Sequence, residues 1–221
     1  MQYLLHIDTS GDTGLVAIGY NGALLDSRVN EETRNHASSI NTMIDSLLGD
    51  NRISFEQISA IAVCAGPGSY TGLRIGMATA KGLCYALDRP LILDNKLTLL
   101  ALDAIKEHPG YTQYLSLIIA REREYFISIY DKNGNCILVP QHVGEEELNT
   151  LINRKETAYF ITNTEKKFID NLMISDFKVD IEIKTPLKSW IFDAFGKYNC
   201  NQFVNLMEAE PFYLKQVYTH K

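Results

Sequence analysis

The run Gly66-Pro67-Gly68-Ser69-Tyr70-Thr71-Gly72-Leu73-Arg74 has the composition of a turn that can hold an anion. A glycine-rich passage from a strand into a helix presents backbone N–H groups and the positive end of the helix dipole to a phosphate placed against it. The same residues equally make a tight turn in which Ser69 or Thr71 caps the following helix, and the string alone leaves both readings open. It lacks the Lys-Ser/Thr ending of a Walker loop, which excludes P-loop nucleotide chemistry. A second polar string, Ile7-Asp8-Thr9-Ser10-Gly11-Asp12-Thr13, puts an acid and small hydroxylated residues at a strand end and into a hairpin turn. Tight turns select those residue types in any case, so from spacing alone a polar hairpin is the preferred reading.

Metal chemistry finds little support. His6, His36, His108, His142 and His220 include no pair at helical ligand spacing, so no metal site is expected. Cys64, Cys84, Cys136 and Cys200 are scattered with no CxxC pair, as expected of free thiols in a reducing cytoplasm. A formal net charge of -6 with 21 Lys and Arg in no dense cluster is the wrong electrostatics for gripping a nucleic-acid backbone alone. Any RNA would have to be held by a partner. The first apolar run is too short for a signal peptide and has no basic leader, and no run reaches membrane-spanning length, so a soluble cytoplasmic protein is expected.

The elements that must position these strings follow from periodicity. Alternation predicts strands over Tyr3–Ile7, Leu15–Tyr20 and Ala23–Val29, with Asn21-Gly22 as a hairpin turn. Ile40, Met43, Ile44, Leu47 and Leu48 form one helical stripe, stopped by Gly49. A strand at Ala60–Ala65 leads through the glycine-rich turn into a helix over Thr71–Leu87, then a strand at Leu91–Leu93 and a helix at Leu97–Glu107. Pro109-Gly110 marks the expected domain boundary, giving lobes 1–108 and 109–221. The pattern then restarts. Strands are expected at Leu115–Ile119, Tyr125–Tyr130, Ile137–Gln141 and Tyr159–Thr162, and helices at Glu145–Ile152, Lys166–Leu172 and Leu187–Tyr198. The segment Glu210–His220 is expected to pack as a strand or tail.

Two βββαβα halves are the architecture of the actin, sugar kinase and Hsp70 group, an α/β fold of the ribonuclease H-like class. In that group an Asp at the position of Asp8 approaches the metal and phosphates of a nucleotide. On that reading Asp8, Thr9, Ser10, Gly66, Gly68 and Ser69 form a vestigial nucleotide or anion site. Beyond Gly110 only Gly134, Gly144 and Gly196 remain, too few for a second lobe that must bring backbone close to phosphate and adenosine.

The IDTS segment, His36, the run AGPGSYTGLRIGMATAKGL and the segment AREREYF together resemble the TsaB (YeaZ) family of the glycoprotease-like superfamily, most closely over residues 1–105. The resemblance implies a non-catalytic subunit in the synthesis of threonylcarbamoyladenosine in tRNA. It also implies partnership with the catalytic subunit TsaD and the ATPase TsaE, contact with tRNA only through the complex, and self-association when alone. TsaD carries a metal-binding Asn-His-x-x-x-His; laid on this chain its two histidines fall on Lys96 and Leu100, neither of which can serve as a ligand. No cofactor is implied. Where the family pattern reads Asp-Ala-Arg, this chain has Ile119-Ala120-Arg121, and Arg123 stands for the usual Gly.

A physical argument also points to a partner. The Thr71–Leu87 helix carries only Arg74 and Lys81 as charges, and its own sheet can cover one face. Gly72, Gly76, Ala80 and Cys84 form a small-residue row along which another helix could approach closely. Either the preceding helix covers the remainder, or another chain does. The second alternative puts Ile40, Met43, Ile44, Arg74, Gly76, Met77, Ala78, Lys81 and Tyr85 at a partner interface, where Gly76→Leu is expected to abolish association and leave the fold intact. The competing readings are an active actin-like ATPase or kinase using Asp8 and the Gly66–Gly68 turn, a metallopeptidase, and a homodimer with no dedicated partner.

Overall fold

The computed structural model describes residues 1–30, 35–152, 158–162, 178–181 and 185–214. The chain opens with β1 (Tyr3–Asp8), β2 (Gly14–Tyr20) and β3 (Ala23–Asn30), an antiparallel meander in register Leu5↔Ile18 and Ile7↔Val16. Asn21 (φ 48) and Gly22 (φ 82) take the two left-handed positions of a two-residue hairpin. Helix α1 (His36–Asp50) buries Ile40, Ile44, Leu47 and Leu48 as one stripe. Gly49 lies inside its last turn, and the chain leaves the helix through Asn51 and the left-handed Arg52.

Strand β4 (Ile58–Gly66) runs parallel to β1, and helix α2 (Tyr70–Leu87) ends on Asp88 in the left-handed region. Strand β5 (Leu91–Asn95) then adds parallel to β4, giving the sheet order β3-β2-β1-β4-β5. The second sheet repeats that order from new elements. After α3 (Lys96–Glu107) come β6 (Gln113–Arg121), β7 (Glu124–Asp131), β8 (Cys136–Gly144), α4 (Glu145–Ile152), β9 (Ala158–Thr162) and β10 (Lys178–Ile181), ordered β8-β7-β6-β9-β10. Each sheet is therefore an antiparallel meander extended by two parallel strands. Strand β10 escaped the sequence reading because four residues alternating charged and apolar are too short to fix a period. The helix expected at Lys166–Leu172 lies outside the described residues.

The chain divides into one compact unit of Met1–Asn95 with Leu187–Phe212 and a second of Lys96–Pro186 with Tyr213–Lys221. The division thus falls at Asn95/Lys96, and not at the Pro109-Gly110 punctuation. The apolar side of α3, Leu97, Leu100 and Ala104, packs with Tyr114, Ile118 and Phe126 of the second sheet. Helix α5 (Leu187–Asn199) returns to the first unit. Loop punctuation could not show either exchange, because a helix joins whichever sheet its apolar face meets. Among the described residues no helix is long and apolar enough to cross a membrane.

In the first unit Leu5, Ile7, Val16 and Ile18 share a core with Ile40, Ile44, Leu47, Met77 and Ala80 of α1 and α2. Alternation sends His6 to the opposite face, where it meets Trp190 of α5 edge-on at 5.0 Å. Burial pulls the His6 pKa down to about 4, against backbone hydrogen bonds involving Leu4 and Ala17 that favour the charged ring. The folded protein therefore keeps His6 neutral while the unfolded chain protonates it below the ordinary value of 6.5. Stability from this group is complete above pH 6.5 and is lost as pH falls towards 4, by about 3 kcal/mol in all. Urea titrations at pH 7.5 and 4.5 are expected to show this slope in the natural chain, and a shallower one in His6→Leu.

Candidate functional site

The two polar strings of the sequence meet in one packed junction. Asp8 is buried, and its Oδ1 accepts hydrogen bonds from Ser10 N at 2.8 Å and Ser10 Oγ at 2.6 Å, closing the turn after β1. That turn lies against the start of α2. Ser69 N donates to Ser10 O at 2.7 Å, and Thr9 Oγ1 donates to Gly72 O at 2.6 Å. From the other side His36 Nε2 donates to Gly11 O at 3.1 Å. Ser69 is the helix cap, its Oγ accepting from Gly72 N at 3.3 Å.

The glycines are there because this contact leaves no room for a side chain. A Cβ on Gly68 would lie 2.2 Å from Ser10 O, one on Gly72 2.0 Å from Thr9 O, and one on Gly76 2.5 Å from Thr9 Oγ1. The structure thus brings Asp8, Thr9, Ser10, Gly68 and Ser69 into one junction, while Gly66 lies against Leu73 and Phe212 O. Within that cluster the carbonyl oxygens of Thr9 and Ser10 face the loop, and the Ser69 and Gly72 N–H groups are engaged inside the chain. The arrangement does the work of a tight turn capped by Ser69, the second of the two readings open from sequence.

The same contact corrects the interface expectation. The row Gly72, Gly76, Ala80 and Cys84 faces the protein's own β1 and β4, and all four residues are buried. Ile40, Ile44 and Met77 belong to the core of the first unit. None of these, nor Gly76, is offered to another chain. Gly76→Leu would strike Thr9 and disturb the fold itself, contrary to the expectation that it leaves the fold intact. Arg74, Ala78 and Tyr85 are exposed, while Met43 and Lys81 are half-buried.

The surplus apolar surface of α2 is covered mainly from within the chain. Helix α1 covers one flank, and the segment Val204–Phe212 contributes Val204, Leu206, Ala209 and Phe212 to the same core. What stays open is a narrow strip of Arg74, Ala78, Gly82 and Ala86 at four-residue spacing, with Tyr85 beside it at 83% exposure. The Arg74 guanidinium stacks 4.0 Å from the Tyr70 ring at one end. A Cβ at Gly82 would meet nothing within 4 Å, so no packing inside the chain calls for glycine there. The two small-residue rows have the same spacing in the sequence, and no signal in it ranks one as inner and the other as outer.

A family model described as TsaD, tRNA N6-adenosine threonylcarbamoyltransferase, matches residues 24–152. Over 126 residues the chain is 36% identical to the tRNA threonylcarbamoyladenosine biosynthesis protein TsaB of Haemophilus influenzae, covering 57% of this chain and 52% of that one. The solved structure of YeaZ from Pseudomonas aeruginosa superposes with a TM-score of 0.79 at 25% identity, covering 97% of this chain and 100% of that one. The chain belongs to the TsaB (YeaZ) family.

Its fold is the α/β fold of actin-like ATPases. At the level of fold alone it is also similar to the activator of 2-hydroxyisocaproyl-CoA dehydratase from Clostridium difficile, with a TM-score of 0.54 at 10% identity over 92% of this chain and 99% of that one. The sequence match spans about half the length of the first curated relatives of the family. At the two positions onto which the TsaD histidines fall, Lys96 is buried and Leu100 is part of the second unit's core. Among the described residues no group of three His, Cys, Asp or Glu is placed to hold a metal ion. Arg123 adopts φ 57, so the position where the family pattern carries Gly does take a left-handed backbone.

Proposed function

We propose that this chain is a non-catalytic, TsaB-type subunit in the biosynthesis of threonylcarbamoyladenosine in tRNA. It acts by docking the open strip of α2, with Met43 of α1 at its edge, onto a TsaD-like catalytic subunit. A TsaE-like ATPase joins the assembly, tRNA is reached through the partners, and the same strip accounts for self-association of the chain alone. The observation that carries this reading is Gly82. A glycine in the middle of an exposed helical face lowers helix stability by about 1 kcal/mol relative to alanine. No contact within the chain offsets that loss. Close approach of a second helix over Ala78, Gly82 and Ala86 does, and Tyr85 supplies the large, rigid anchor typical of such contacts.

Membership of the family supports the choice of partner, because the TsaD-type family model matches the stretch that contains α1 and α2. The net charge of -6 supports indirect rather than direct contact with tRNA. Calorimetric titration of the purified chain with the TsaD-like subunit from the same cell tests the proposal. Tyr85→Asp is expected to weaken binding by about 100-fold, the scale of an interfacial tyrosine, while leaving the thermal midpoint of the isolated chain unchanged. Undiminished affinity of a well-folded Tyr85→Asp protein overturns the docking assignment.

A further inference from the structure

A pocket of about 350 Å³, with Tyr3, Glu56, Ile58, Ser59, Arg89 and Tyr198 in its lining, lies where β1 and β4 begin. Asp8 and Gly66 close those two strands at their other ends, and the whole lining belongs to the first unit. Its walls are held by contacts within the chain. The Tyr3 ring lies 4.9 Å from that of Tyr20, and the Tyr198 ring 5.8 Å from that of Phe203. The 3₁₀ turn Phe55–Gln57 is closed by a capping box in which Ser54 N donates to Gln57 Oε1 at 2.8 Å. Arg89 follows the left-handed Asp88, its N donating to Cys84 O at 3.0 Å and its Nη2 to Glu56 O at 3.1 Å.

Donors outnumber acceptors on these walls. Arg89 Nε is buried and has no acceptor, and among the described residues the hydroxyls of Tyr3, Ser59 and Tyr198 make no hydrogen bond. A buried donor in a folded protein almost always has an acceptor. The Glu56 carboxylate does not supply it, because it accepts from the Ser54 hydroxyl and from its own backbone N–H, which hold its carboxyl below the usual range.

We infer that this pocket binds a small carboxylic acid, as its anion, through the guanidinium of Arg89. The inference goes beyond the docking function and uses none of the residues of the α2 strip. A guanidinium is planar and matches two coplanar oxygens, the geometry of a carboxylate. Arg89 carries the one cationic side chain of the lining and Glu56 sits on the same wall, so a monoanion is matched and the second charge of a phosphate is not. The volume is many times what one water needs, and it falls within the roughly 300–1,000 Å³ of small-molecule sites. One Asp or Glu side chain entering from another protein would leave most of that space unfilled. A free acid fills it by laying a compact apolar body against Tyr3, Ile58 and Tyr198.

The test is a nitrogen-15 NMR titration of the full chain with sodium benzoate, following the Arg89 Nε–H signal and the backbone amides of Ser59 and Tyr198. Benzoate is expected to shift all three saturably, with a half-point on the order of 1 mM. Arg89→Lys keeps the charge and a donor for Glu56 O but loses the planar fork. It is expected to weaken benzoate binding by at least about 10-fold, read from the two amides, with the thermal midpoint unchanged. Benzamide, of the same shape and uncharged, is expected to give no saturable shift, and inorganic phosphate to bind at least about 10-fold more weakly than benzoate. A benzoate response that stays linear, an equal response to benzamide, phosphate binding as tightly as benzoate, or undiminished binding by a folded Arg89→Lys protein each overturns the inference. So does a response that disappears when sedimentation shows the chain diluted to monomers, which would place the pocket in a contact between copies. The Tyr85→Asp titration reads the docking proposal separately, so the two can fail independently.

Discussion

Gly72→Ala is expected to destabilise the first unit by about 3 kcal/mol, while Gly82→Ala, in the same helix, is expected to stabilise it by about 1 kcal/mol. Both substitutions add one methyl group to a helical glycine and gain the same intrinsic propensity. They differ in what the methyl meets. At Gly72 it would lie 2.0 Å from Thr9 O, and at Gly82 nothing lies within 4 Å. The oxygen at Gly72 cannot yield easily, because it belongs to a backbone turn held by Ser10 to Ser69 on one side and by Gly11 to His36 on the other. Any shift also strains the 2.6 Å bond from Thr9 Oγ1 to Gly72 O. Urea unfolding of the two variants measures the contrast directly. A Gly72→Ala protein as stable as the natural chain would mean that the glycine-rich string is not there to admit the β1–β2 turn.

Lys197→Met is expected to cost about 3–5 kcal/mol at neutral pH, the usual penalty for removing one partner of a buried ion pair. Asp94 at the end of β5 is fully buried, its Oδ1 paired with Lys197 Nζ and its Oδ2 accepting from Trp190 Nε1 at 2.6 Å. Burial pushes the Asp94 carboxyl above its ordinary range, against the pull of the Lys197 charge and the Trp190 donor. Burial also pulls Lys197 down, but Asp94 and Asp193 together outweigh it and hold the ammonium above its usual value. Without Lys197 the carboxyl rises further. A buried acid with a raised pKa binds its proton more tightly when folded, so the variant's deficit should be smallest near pH 4 and grow to its full size as pH rises. The double variant Asp94→Asn/Lys197→Met removes the stranded charge and keeps an acceptor for Trp190, and should recover much of the loss. A deficit under about 1 kcal/mol for Lys197→Met at pH 7 would show that the pair does not anchor α5.

Much of the architecture was legible in the residues. Apolar alternation and the Asn21-Gly22 pair specify the first meander, and the Ile40, Ile44, Leu47 and Leu48 stripe specifies the buried side of α1. The restart of the pattern after Pro109-Gly110 anticipated a second sheet with the order of the first. Ser69 as the cap of α2 was one of two readings open from sequence, and it is the one observed. These features are local. They depend on side-chain period, turn chemistry and caps, which a few neighbouring residues determine.

The candidate site was legible only in part, and its inner and outer faces were exchanged. Sequence identified α2 as too apolar for one sheet to cover, but the cover turned out to be α1 and the Val204–Phe212 strap, which left Ala78, Gly82, Tyr85 and Ala86 open in place of Gly76 and Met77. The exchange of α3 and α5 between the two units, the reach of Lys81 to the strap and the pairing of Asp94 with Lys197 were likewise settled in space. A sequence records which residues seek cover and how often they recur. Which segment provides that cover depends on contacts between residues tens to more than a hundred positions apart, and composition carries no record of those distances.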